Sequence, residues 1–144
     1  MNFTRLFPIA QAVAQMSKDE STKAGALIIG PAGEIRSSGW NGAPRGSRAD
    51  EDYRKERPIK YKWFEHAERN AIYNAARVGT SLEGTTMICT HYPCADCARA
   101  IVQAGIGWII VPNPDPVFFE RWKDDIAVAT RMFDECGVDV EVLL

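Results

Sequence analysis

The 144-residue chain reads as one α/β domain, spanning residues 1–144, with about five strands. Three observations predict this. An apolar run from Ala24 to Ile29 and a second from Glu34 to Trp40 flank the turn Pro31-Ala32-Gly33. In the second half, short apolar runs alternate with helical stretches that each end at a glycine. Hydrophobic residues at 46 % and charged residues at 25 % are ordinary for a globular protein.

Taken in order, Phe3 to Met16 carries Leu6, Ile9, Ala10, Val13 and Ala14 at helical spacing, with Pro8 awkward in the first turn. The runs around Pro31-Ala32-Gly33 form a strand pair. Residues Asn41 to Glu65 are dominated by Gly, Pro and mixed charges, a long loop with room for one helical turn. A structureless loop of that length is uncommon in a compact domain unless it has a role. The spacing then predicts a helix at His66 to Val78, a strand at Thr86 to Thr90 and a helix at Cys94 to Ala104. A strand at Trp108 to Val111, a helix at Phe118 to Glu135 and a strand at Val138 to Leu143 complete the chain. Phe119, Trp122, Ile126, Ala129 and Phe133 form the core stripe of the last helix. Strand-helix-strand runs imply parallel pairing through right-handed crossovers.

The net charge of −2 lacks the basicity of a polynucleotide binder, so no polynucleotide partner is expected. A small anionic substrate needs only a few local cations and stays open. Met1 to Phe7 shows no basic segment followed by an apolar core, and no apolar run approaches the ~20 residues that span a bilayer. A cytoplasmic protein, away from membranes, is the expectation. The four cysteines of such a chain point to thiols or metal ligands rather than disulfides. Cys89 reads as a buried strand thiol, and Cys136, before Gly137, as a structural residue in apolar surroundings.

The chemistry concentrates in His66-Ala67-Glu68 and Pro93-Cys94-Ala95-Asp96-Cys97. Together they match the zinc deaminase signature H-x-E followed by P-C-x-x-C. Cys94 and Cys97 fall on one face of a helix start, where the helix end favours the thiolates that bind zinc. His66 and Glu68, two apart, share a site only if their stretch straddles a second helix start. His66, Cys94 and Cys97 give Zn2+ three protein ligands and leave its fourth position for water. Two thiolates cancel the formal charge of the metal, so a nearby base is needed. Glu68 is the catalytic residue in that role: it takes a proton from the water, delivers it toward the ring nitrogen, and returns as acid to the departing ammonia.

The chain resembles the deoxycytidylate (dCMP) deaminase family of the cytidine deaminase-like superfamily. The resemblance rests on Ser17-Lys18-Asp19-Glu20-Ser21-Thr22-Lys23-Ala24-Gly25-Ala26, on Gly39-Trp40-Asn41-Gly42-Ala43-Pro44-Arg45-Gly46, and on Asn70 beside the His-Ala-Glu stretch. It implies a three-layer α/β/α sandwich with a central mixed sheet and hydrolysis of dCMP to dUMP. A helix between the last two strands makes them parallel, which is similar to the nucleotide and nucleic-acid deaminases. By the same resemblance Asn41 holds the sugar, the Ala67 amide bonds the pyrimidine carbonyl, and Lys23 with its polar neighbours is a candidate for the phosphate. A plain turn at Asn41-Gly42 and a solvated cation at Lys23 stay open as readings. The motif itself equally serves a deaminase of cytosine, a guanine-type purine or a pterin-like ring, and a non-catalytic zinc or nucleotide-binding module is the reading from another class. His91 reads as a pocket wall. The second, structural zinc of some family members takes Cys and His from the segment before the catalytic histidine, and residues 41–65 contain neither. Arg45, Arg48 and Arg54 are candidates for the dCTP and dTTP control known in part of the family, although Asp50, Glu51 and Asp52 offset their charge. The family commonly forms homo-oligomers, often hexamers.

Overall fold

Pro8 decides how the chain begins. In the computed structural model, which describes residues 2–144, a 3₁₀ turn at Phe3–Leu6 precedes helix α1 at Phe7–Ala14. Proline suits the first helical turn, where no intrahelical bond is lost, so the helix restarts there and the single helix expected from Phe3 is divided. Met1, the first residue of the segment read for a leader, lies outside the described residues.

Strands β1 (Gly25–Ile29) and β2 (Ile35–Trp40) form the expected antiparallel hairpin. Between Asn41 and Glu65 lie two 3₁₀ turns, Ala49–Glu51 and Tyr53–Lys55, and the one-turn helix α2 (Lys60–Trp63). Then follow α3 (Ala67–Val78), β3 (Thr86–Cys89), α4 (Ala95–Gln103), β4 (Trp108–Pro112), α5 (Pro116–Cys136) and β5 (Asp139–Leu143). The sheet order is β2-β1-β3-β4-β5, antiparallel from β2 to β3 and parallel from β3 to β5. Helices α4 and α5 are the two crossovers, as the alternation of runs required. The result is the mixed, five-stranded α/β/α sandwich.

Alternation along the strands sorts the core into two faces. Ala26, Ile28, Met87, Cys89, Ile109 and Val111 pack against α3, α4 and α5, whereas Leu27, Ile29, Ile88 and Ile110 pack with Phe3 and Ala10 at the chain start. Two glycines bring helices onto the sheet. A Cβ on Gly39 of β2 would sit 2.3 Å from the Ala71 amide nitrogen of α3, and one on Gly25 of β1 would sit 2.3 Å from the Ala10 carbonyl of α1. Gly79 and Gly137 end α3 and α5 in the left-handed conformation at φ 74°, as their sequence positions suggest.

Two core assignments are corrected. Ile126, Ala129 and Phe133 are buried, but Phe119 is 48 % exposed. Phe118 packs inward instead, its ring 5.4 Å from His91 and 6.3 Å from Trp122. Either phenylalanine continues the helical spacing, and Phe118 is the one that packs on His91 and Trp122. Cys89 is fully buried, whereas Cys136 is exposed because α5 ends at the surface. Among the described residues, no helix is long and apolar enough to cross a membrane.

Candidate active site

The helix starts of α3 and α4 meet at one point. His66 is the N-cap of α3, extended at φ −82° and ψ 153°, so Ala67 and Glu68 open the helix and the stretch straddles its start. Cys94 is the N-cap of α4, with Pro93 before it, and Cys97 lies in the first turn. The His66 side chain makes no capping bond of its own. Its Nδ1 lies 3.4 Å from Cys94 Sγ and 3.5 Å from Cys97 Sγ.

These spacings suit zinc. A tetrahedral ion with bonds of about 2.0–2.3 Å sets neighbouring N and S donors about 3.5–3.8 Å apart. The three ligand atoms lie within 4.8 Å of one another. Their chemistry fits as well. The Cys97 side chain hydrogen-bonds Cys94, and with His66 and the Cys97 amide it holds the Cys94 thiol down to about 4 against burial. The same contact with Cys94, reinforced by burial, holds the Cys97 thiol well above its usual range. Hydrogen bonding to Cys94 raises His66 against burial. The triad thus shares protons that a divalent cation would displace.

Glu68 is 5 % exposed beside them. Burial is the largest influence on its carboxyl and pushes it up, opposed by His66. Glu65 fixes the approach to α3: its Oε1 accepts from the His66 amide at 2.9 Å and from Arg69 Nε at 2.5 Å. Asn70 Nδ2 donates to the Trp40 carbonyl at 2.8 Å and Asn74 Nδ2 to the Ser38 carbonyl at 2.7 Å, buckling α3 to β2.

His66, Glu68 and Cys94 line a cavity of about 540 Å³. Ala67 lines it too, at the first turn of α3, where backbone amides have no intrahelical acceptor. Asn41 and Lys23 line it as well. Asn41 Oδ1 accepts from the Ala24 amide at 2.8 Å, and its Nδ2 donates to the Thr22 carbonyl at 2.8 Å and to Asp19 at 3.3 Å. It is therefore a buckle between two loops as well as a wall. Lys23 is exposed, with Nζ donating to the Ser17 carbonyl at 2.6 Å, which leaves donors free. His91 lines the same cavity, outside the ligand triad, and burial holds its imidazole low.

Other lining residues escaped sequence reasoning. Arg57, Lys60 and Arg121 add cations, and Phe118 and Trp122 add aromatic faces. Arg121 Nη2 donates to the Tyr61 hydroxyl at 2.9 Å, bridging α5 to α2 across the cavity. Lys60 is 7 % exposed, and its Nζ lies 2.6 Å from a carboxylate oxygen of the equally buried Asp19. Asp125 accepts from the Ala95 amide at 3.1 Å. Its signal in the sequence was a carboxylate adjoining the buried stripe at Ile126. By contrast Arg45, Arg48 and Arg54 do not converge: they contact Asn74, Glu51 and Asp52 respectively.

Residues 2–112 match the family described as the cytidine and deoxycytidylate deaminase zinc-binding region. A protein of Aliivibrio fischeri named "Uncharacterized deaminase in luxG 3'region" is 43 % identical over 138 residues, 94 % of this chain and 89 % of that protein. Human deoxycytidylate deaminase is 34 % identical over 137 residues, 90 % of this chain and 72 % of that protein. The crystal structure of dCMP deaminase from the cyanophage S-TIM5, in complex with dCMP and dUMP, is similar over 97 % of this chain and 95 % of that one, with a TM-score of 0.78 and 31 % identity. The chain belongs to the cytidine and deoxycytidylate deaminase family.

Proposed function

We propose that this chain, acting over 1–144 as one deaminase domain, hydrolyses dCMP to dUMP and ammonia. The observation that carries the reading is the buried Glu68 beside the His66, Cys94 and Cys97 triad, with cations lining the same cavity. Relatives that act on dCMP supply the substrate. His66, Cys94 and Cys97 would hold zinc, which would supply Lewis-acid activation of the water that attacks the amine-bearing carbon.

The remaining work falls to the protein. Glu68 accepts a proton as water adds to that carbon and passes it to the ring nitrogen. It then takes the remaining proton of the added hydroxyl and gives it to the amine as the carbon–nitrogen bond breaks and the carbonyl forms. Its raised affinity for protons suits a group that must both take and give one. The Ala67 amide donates to the pyrimidine carbonyl. Asn41 shapes the sugar wall, with Oδ1 able to accept a second hydrogen bond. Lys23 meets the phosphate, and Arg57 and Arg121 add further cations to the lining. Binding energy from the remote phosphate orients the ring for reaction.

The chain acts in the cytoplasm as a homo-oligomer. Exposed Ile35 on β2 and Tyr73 and Val78 on α3 support self-association, and light scattering after gel filtration measures it. Ammonia release from the zinc-loaded protein tests the substrate across cytosine, deoxycytidine, dCMP and guanine. Turnover of dCMP far above the other three is expected. Equal turnover of deoxycytidine, or preference for guanine, would remove dCMP from the proposal.

A further inference from the structure

We infer that Asp125 is a positioning residue for the metal-holding turn, acting from α5 on the backbone between Cys94 and Cys97. The inference rests on the proposal that these thiolates hold zinc. Helix α4 begins with a side chain already in demand: Cys94, its N-cap, has a Sγ that accepts from the Cys97 amide at 3.4 Å. A sulfur with that duty and a metal to hold cannot also cap the next amide. The Ala95 amide, first in the helix, has no intrahelical acceptor. It donates instead to Asp125 Oδ2 at 3.1 Å, a partner thirty residues further along the chain.

On the other side of Cys94, the Tyr92 hydroxyl and Thr130 Oγ1 lie 2.6 Å apart. Helix α5 therefore grips the chain on both sides of the ligand. The grip has a firm base, because Ile126, Ala129 and Phe133 of the same helix are buried against the sheet. A carboxylate at the start of α4 also complements the positive end of that helix. Asp125 shares its helix face with Trp122 and Phe118, at spacings of three and four, and all three line the cavity. One helix face thus lines the pocket and holds the turn that carries Cys94 and Cys97.

Partners that orient metal ligands are worth about 10- to 100-fold in metal affinity when removed. Zinc affinity, by competition with a chromogenic chelator, is the readout for the parent, Asp125→Ala, Asp125→Asn and Asp124→Ala. Alanine is a better helix former than aspartate, so α5 itself is not weakened. Asp125→Ala is expected to bind zinc about 10- to 100-fold more weakly. Asp125→Asn, which keeps an acceptor oxygen, restores most of the affinity, and Asp124→Ala, exposed one residue away, matches the parent. A parent that binds zinc beside an Asp125→Ala variant that binds it equally well overturns this inference alone. So does an Asp125→Asn variant as weak as Asp125→Ala. A parent that binds no zinc overturns the metal assignment on which the inference rests.

Discussion

Two sets of residues at the cavity are built in contrasting ways. His66 and Glu68 are two residues apart and Cys94 and Cys97 three apart, and each pair sits at a helix start. The rest of the wall joins residues far apart in sequence through polar contacts: Asn41 to Thr22 and Ala24, Lys60 to Asp19, Arg121 to Tyr61. Short sequence spacing at two helix starts sets the geometry within each pair of the first set, whereas long-range contacts place the second.

Substitutions in each set sharpen that contrast. The largest effect is expected from Cys94→Ser combined with Cys97→Ser, which leaves one ligand of three. Zinc content should fall from about one per chain to none, and ammonia release should drop to background. Retained zinc in the purified double variant would show that other residues hold the metal.

Next comes the buried ion pair of Lys60 and Asp19. Lys60→Met leaves Asp19 buried and unpaired, which costs about 3–5 kcal/mol, measured by urea unfolding. Asp19 also gives the pair a pH signature. Burial alone would raise its carboxyl, but Lys60 and the Ser21 and Thr22 amides bring it below its usual value. A carboxyl lowered in the folded state stabilises fully above its unfolded pKa of about 3.9, and that stability is lost as pH falls through the folded value. Asp19→Asn should therefore flatten the acid side of the stability profile. An unchanged acid limb would show that the pair does not hold the loops together.

The smallest effect is on recognition alone. Lys23→Ala should lower kcat/KM for dCMP about 10- to 100-fold, the worth of one charged hydrogen bond. It should leave any slow deoxycytidine reaction unchanged. Equal losses with both substrates would mean that Lys23 supports the fold rather than the phosphate.

The same division explains what could be read before the fold was known. Strand alternation and the glycine stops at Gly79 and Gly137 placed nearly every element, because both are local signals. His66, Glu68, Cys94 and Cys97 were legible for the same reason. The exposure of Phe119 was not, since residues 118 and 119 both continue the helical spacing of α5 and only tertiary contact with His91 chooses between them. Nor were the ion pair from Lys60 to Asp19 and the bond from Ala95 to Asp125, which join residues 41 and 30 positions apart. No periodicity records such a contact.

The central claim is that Glu68 moves the proton while the rest of the cavity binds, and the Glu68→Gln variant tests it most directly. Glutamine keeps the shape of the side chain and its hydrogen-bonding capacity but cannot shuttle a proton. Zinc content and dCMP affinity by calorimetry should match the parent, while kcat falls about 10²- to 10⁴-fold. Turnover near the parent value, with zinc and dCMP still bound, would contradict the claim and assign the proton to another group.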